Sequence, residues 1–262
     1  MCHLYSLIVL ALVGATPADS GPISAPVTPA SDNFRIDNAV FAGDRTEPPC
    51  ESSTIFCDGI VYDCMKDPAE TIVFNSHTGR FTLLNVGKQT RAELTTKELI
   101  DFSDWLRRNA FKSSDQSIRF LAAPKFDVRF DRFGNELSLD STWVKYHLTV
   151  LPVERPTTVE QYREFSDWCA RLKPLLSPGS PPPFGRMAVN AELADRHAIP
   201  KEVTLTLVSL KESNRQQRTI GSEHRLVRLL EQADYARMAD ARQQMSRFKR
   251  VTFEQYRKGE LR

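Results

Sequence analysis

Residues 55–108 constrain this chain more than any other stretch. Polar turns at Lys66-Asp67-Pro68, Asn75-Ser76-His77-Thr78-Gly79 and Asn85-Val86-Gly87-Lys88 separate short runs at 71–74, 80–84 and 90–94. Runs of β-branched and aromatic residues at this spacing read as antiparallel hairpins, with Gly79 supplying the positive φ such a turn needs. The pattern then changes period. Thr95 and Glu98 form a T-x-x-E capping box, and Leu99, Phe102, Leu106 and Ala110 recur at helical spacing with Trp105 beside them. Asp101 near the start and Arg107-Arg108 near the end suit the helix dipole. Residues 54–63 read as one strand, with Ile55, Cys57 and Val61 on one face and Phe56, Ile60 and Tyr62 on the other. Both faces are apolar, so burial on both sides is expected.

The rest of the chain continues this alternation of sheet and helix. A first strand is expected at 34–41, ended by Pro48-Pro49. Residues 126–131 alternate, 132–135 turn, Leu137 and Leu139 continue, and 143–153 form a long strand with Val144, Tyr146, Leu148 and Val150 on one face. A helix starts at Pro156, with an apolar stripe of Val159, Tyr162, Phe165, Cys169 and Leu172. After the extended segment 177–183, a third helix runs from 184 or 186 to 197. Strands at 203–208 and 223–230, a hairpin across 214–219, a helix at 231–245 and a docking tail at 253–257 complete the chain. The expected fold is α+β: a curved antiparallel β-sheet, half-barrel-like, with helices packed on one face. It occupies one domain, 34–262, of which 156–262 is a helical and strand extension.

The N-terminus points to export. Leu7-Ile-Val-Leu-Ala-Leu-Val-Gly-Ala15 is far shorter than the ~20 residues that span a bilayer, but it suits a signal-peptide core. Residues 1–15 are read as the signal, with cleavage after Ser20 as the alternative. Residues 16–33 carry four prolines among small polar residues and read as a linker. No other apolar run approaches spanning length, so the mature product is expected to be periplasmic or extracellular, with no transmembrane segment. Cys50, Cys57, Cys64 and Cys169 remain after cleavage. An oxidising compartment permits pairing, and four cysteines allow three connectivities or none. They lack the close CxxC pair of structural zinc sites, and no metal is expected.

No reaction is written in the sequence. GxSxG, Walker-type, HExxH and GxGxxG patterns are absent, and neither a catalytic residue nor a cofactor is assigned. His77 falls in a turn and His147 in mid-strand, while His197 and His224 have no Cys or Asp pattern near them. Asp127 and Asp131 alternate with apolar residues and should face water. Cys169 lies on an apolar helix stripe, where a structural role is expected. The formal charge of +2 over 262 residues argues against nucleic acid as a partner. Residues 215–262 hold twelve Lys or Arg against six Asp or Glu, a net of +6, which suits a solvated face or an acidic envelope partner. The surplus of apolar residues on both sheet faces suggests a concave cavity for a lipid or acyl chain. Phe56, Phe74, Phe81, Leu83, Phe126, Phe130, Tyr146 and Leu148 are its candidate lining.

The run Thr71-Ile-Val-Phe-Asn-Ser-His-Thr-Gly-Arg-Phe-Thr-Leu-Leu-Asn-Val-Gly-Lys-Gln-Thr-Arg-Ala-Glu-Leu94, followed by the Thr-capped helix, resembles the outer-membrane lipoprotein carrier (LolA-like) superfamily and uncharacterised bacterial exported families near it. The resemblance spans residues 53–155. It implies an open half-barrel of antiparallel strands capped by helices, with an apolar concave face. The expected function is therefore non-catalytic binding of a hydrophobic or lipid-like ligand in the cell envelope. An envelope protein-interaction module without a cavity is the alternative, and an unrecognised hydrolase is third.

Overall fold

The computed structural model describes residues 32–43, 49–211 and 214–259. The expected signal segment and most of the linker lie outside the described residues. Asp32, at the linker's end, is already tied down: its carboxylate accepts hydrogen bonds from Thr158 (2.8 Å) and Thr157 and pairs with Arg155.

The strands β1 (Phe34–Ala42), β2 (Cys50–Cys57), β3 (Ile60–Met65), β4 (Glu70–Asn75), β5 (Arg80–Asn85) and β6 (Thr90–Thr95) form one meander. The expected single strand at 54–63 is in fact a hairpin. Asp58 (φ 50°) and Gly59 (φ 74°) turn the chain in the left-handed region, and Cys57 pairs with Ile60. This Asp-Gly turn shifts the alternation. Val61 therefore shares a face with Phe56, and Tyr62 shares one with Ile55. Gly59 has a second reason to be glycine, because a Cβ there would lie 2.3 Å from His77 Nε2.

Helix α1 (Thr96–Phe111) follows. Thr95 and Glu98 cap it reciprocally, as the T-x-x-E pattern requires. The short α2 (Gln116–Ala122) comes next, capped by Asp115, whose side chain accepts from Ser117 N at 2.7 Å. Then come β7 (Asp127–Asp131), β8 (Glu136–Asp140), β9 (Val144–Pro152), α3 (Pro156–Leu176) and α4 (Phe184–Asp195). The late strands β10 (Ala198–Lys211) and β11 (Asn214–Val227) are much longer than the expected 203–208 and 223–230, and 214–219 is strand rather than turn. Pro200 sits at a register shift in the β9–β10 ladder, which is how β10 accommodates it. Helix α5 (Gln232–Arg247), the two-residue β12 (Lys249–Arg250) and α6 (Phe253–Lys258) end the fold.

All twelve strands join in one open, curled sheet of order β12-β6-β5-β4-β3-β2-β1-β11-β10-β9-β8-β7. Every pairing is antiparallel except β12 with β6. The ladder between β1 and β11 joins the first meander to a second one, β7 to β11. On one face, Phe34, Phe56, Phe74, Phe81 and Leu83 pack under Leu99 of α1 and Val159, Tyr162, Phe165 and Leu172 of α3. Further along, Leu137, Leu139, Tyr146, Leu148 and Val203 pack under Val189 and Leu193 of α4. On the other face, Ile55, Tyr62, Val73 and Leu84 meet Met238 and Ala241 of α5. Helices therefore cover both faces of the first meander, rather than one face only. The two-sided apolar pattern of β2–β5 required this.

A buried ion pair holds α5 in place. Arg35 of β1 donates through one nitrogen to both oxygens of Asp234 (2.9 and 2.7 Å), and its Nε donates to Asp37 at 2.9 Å. Asp234 is completely buried. It also accepts from Glu231 N and Arg237, so its charge is fully matched.

Candidate functional site

The eight apolar residues expected to line one cavity are divided between two cores. Phe56, Phe74, Phe81 and Leu83 are at most 1% exposed and belong to the core under α3. Phe74 and Phe81 stack at 4.4 Å between centroids, and the Phe165 ring stands edge-on to Phe56 at 5.8 Å. The gap bordered by Phe56 and Phe74 holds only about 20 Å³, too little for an acyl chain. Phe126, Phe130, Tyr146 and Leu148 belong to the second core. Phe126 stands edge-on to Phe120 at 5.8 Å and to Tyr146 at 6.0 Å, and the Arg196 guanidinium lies 5.2 Å from the Phe130 ring.

A cavity does open beside this second core, on residues the sequence did not single out as a lining. A groove of about 550 Å³ runs between the end of α1, the end of α2 and the first turns of α4. Its walls are Phe111, Ala122-Ala123-Pro124, Phe184, Met187 and Ala188, with Arg107 the one charged side chain among the described residues that line it. The small residues 122–124 end α2 and leave room where a larger side chain would close the gap. On α4, Gly185 lets the helix approach Tyr146 and Phe126. A Cβ there would meet the Tyr146 hydroxyl at 3.3 Å and the Phe126 ring at 3.8 Å. Phe126 and Tyr146 thus stand behind the helix turn that forms one wall, supporting the groove without lining it. Phe111 is half exposed, and the Arg107 guanidinium lies 4.0 Å over the Phe184 ring.

A second constellation is polar and crosses four adjacent strands on the face that carries the core under α3. The Ser222 hydroxyl meets His224 Nε2 at 2.9 Å, and His224 Nδ1 meets Asn38 Oδ1 at 2.8 Å. Asn38 donates to Thr54 Oγ1 at 2.9 Å and to Ser52 Oγ at 3.2 Å, and Thr54 donates to Asp63 at 2.9 Å. An amide oxygen only accepts, so His224 carries its proton on Nδ1 and takes the Ser222 hydroxyl on Nε2. Burial, reinforced by the nearby Arg186 charge, pushes the His224 pKa down to about 3. Burial raises the pKa of Asp63, opposed by its hydrogen bonds from Thr54 and Ser52, and no cation pairs with it among the described residues. The imidazole is neutral at ordinary pH, and the chain of bonds gives these mostly half-buried polar groups their partners.

The other candidates resolve simply. His77 and His147 are exposed. His197 sits in the left-handed turn between α4 and β10. Asp127 faces water in a pair with Arg129, and Asp131 accepts from the backbone of its own turn. Cys50, Cys57, Cys64 and Cys169 are free thiols, and burial pushes the Cys169 thiol well above the usual range, away from nucleophilic character. Among the described residues, no group of three or more His, Cys, Asp or Glu is placed to hold a metal ion. Likewise, no helix among them is long and apolar enough to cross a membrane. A cleft of about 620 Å³ on the α5 side of the sheet is lined by charged residues such as Arg35, Asp37, Glu51, Lys66 and Arg225, which pair with one another. No protein-family model matches this sequence, and no curated protein matches it either.

Proposed function

We propose that this chain is a non-catalytic binding protein for a hydrophobic, lipid-like ligand, exported to the cell envelope. The groove between α1, α2 and α4 carries the reading. Its volume falls within the roughly 300–1,000 Å³ of small-molecule sites. Its walls are apolar or small, with Arg107 the one charged side chain among the described residues that line it. The packed cores on either side of the sheet make it the best place for an apolar guest. A curled antiparallel sheet with apolar faces is also the architecture implied by the resemblance to lipoprotein carriers.

The test is titration of the purified mature protein with an environment-sensitive fatty-acid probe, alongside native mass spectrometry and lipid extraction. Saturable enhancement is expected, and Ala188→Trp, which fills the groove from its α4 wall, should abolish it while leaving the melting temperature within a few degrees. A dark probe and no co-purifying lipid would sink the reading. Those results would favour the second reading, an envelope interaction module. The half-exposed Trp105 and Phe111 of α1 and Ile118 of α2 supply apolar contact surface for that module.

A further inference from the structure

We propose that the groove takes an anionic amphiphile, whose carboxylate or phosphate head is held by Arg107 with Arg171 behind it. This deepens the reading above and rests on it. Among the described residues, Arg107 is the only charged one lining the groove, and its guanidinium sits over Phe184, one of the apolar walls. Arg171, on the neighbouring α3, is half-buried with its guanidinium 5.7 Å from the Trp168 ring. Helices α1 and α3 pack together; Arg171 does not itself line the groove. Burial disfavours the charge on Arg171, and the Arg107 charge disfavours it further, while Asp167 and Asp104 offset part of this. Asp167 is itself engaged by the Asn190 amide at 2.7 Å and by Arg163.

Several arginines of the chain are paired with carboxylates. Arg35, Arg196, Arg225, Arg237 and Arg250 each meet a carboxylate within 3.0 Å. Arg107 and Arg171 have no such ion pair among the described residues. Arg107 is exposed, with its guanidinium laid over the Phe184 ring, so it presents a positive charge at the edge of an apolar wall. A guanidinium also offers the planar donor fork that fits carboxylate and phosphate oxygens. The apolar remainder of the groove selects an anion that carries a hydrocarbon chain. A nucleic acid or an acidic peptide would leave those walls unused.

Displacement of the fatty-acid probe by dodecanoate, dodecyl phosphate and dodecanol tests the proposal, since the three share a chain and differ in the head. Wild-type protein should release the probe to one or both anions at about tenfold lower concentration than to dodecanol, the ratio expected from one charge-assisted hydrogen bond. The preferred anion separates a carboxylate head from a phosphate one. In Arg107→Gln/Arg171→Gln the ratio should collapse toward one while dodecanol still displaces the probe, which also shows that the groove is intact. Equal displacement by all three in the wild type, or a ratio that survives the double substitution, would overturn the head-group proposal and leave the groove reading standing. If none of the three displaces and Ala188→Trp leaves the probe signal unchanged, both fall.

Discussion

Phe81 separates a filled core from an open one. Its ring is fully buried and stacked on Phe74. Phe81→Asp should therefore unfold the protein rather than empty a binding site, and Phe81→Ala should cost about 3–5 kcal/mol in a denaturant titration. A folded Phe81→Asp protein that had lost only its ligand would return the cavity to the sheet. The polar relay makes a different prediction. His224 titrates near 6.5 when unfolded and near 3 when folded, so the unfolded chain takes up a proton that the folded one refuses. The stability that the neutral imidazole contributes is complete above pH 6.5 and declines as the pH falls toward 3, by roughly 1.4 kcal/mol per unit. Asp63 acts in the opposite sense, because its raised pKa makes the folded state lose stability as the pH rises. The contribution of His224 is thus best read as the difference between wild type and His224→Gln melted from pH 7 to pH 4, and that difference should shrink with acid. Asp63→Asn should be neutral or stabilising at pH 7, with the gain vanishing at pH 4. A large loss at pH 7 would mean that the carboxylate is ionised and well paired.

Elements were legible where local chemistry alone decides. The capping box at Thr95 and Glu98 and the stripe of α3 appear where the sequence pattern puts them; the helix expected at 231–245 runs over Gln232–Arg247, and the turns expected at 66–68, 75–79 and 85–88 each separate two strands of the meander. The misreadings have local causes too. Asp58-Gly59 is a strong hairpin signal, but it lies within an apolar run whose two faces read equally well as one doubly buried strand. Helix α2 is too short for periodicity to reveal it, although Asp115 caps it plainly. The placement of α5 depends on a pair 199 residues apart, Arg35 with Asp234. Asp234→Ala leaves that guanidinium buried without its partner, and it should destabilise the protein by about 3–5 kcal/mol. Proteolysis under native conditions would then be expected to cut first at α5. A loss below about 1 kcal/mol would show that Asp37 suffices for Arg35.

The assembled molecule is one sheet, not two. The β1–β11 ladder and the core under α3, which includes Ile199 of β10 beside Phe56 of β2, tie the two meanders together. Calorimetry should therefore show a single transition, and Phe81→Ala in one half or Leu137→Ala in the other should each lower the same melting temperature. Two resolved transitions would show that the meanders fold separately. The candidate site was the part least visible beforehand. The sequence pointed to aromatic residues on strands, where alternation makes them conspicuous, and the fold used them as core. The groove instead combines an Ala-Ala-Pro loop, one helix end and the start of another helix, none of which has a periodic signature. Local periodicity and capping were enough to determine an antiparallel sheet, its helices and its apolar faces, because hydrogen-bond spacing and side-chain alternation act within a few residues. Only the tertiary structure decided which apolar surface is filled, where space remains, and which arginines are left without a carboxylate, because each of these depends on side chains brought together from distant parts of the chain.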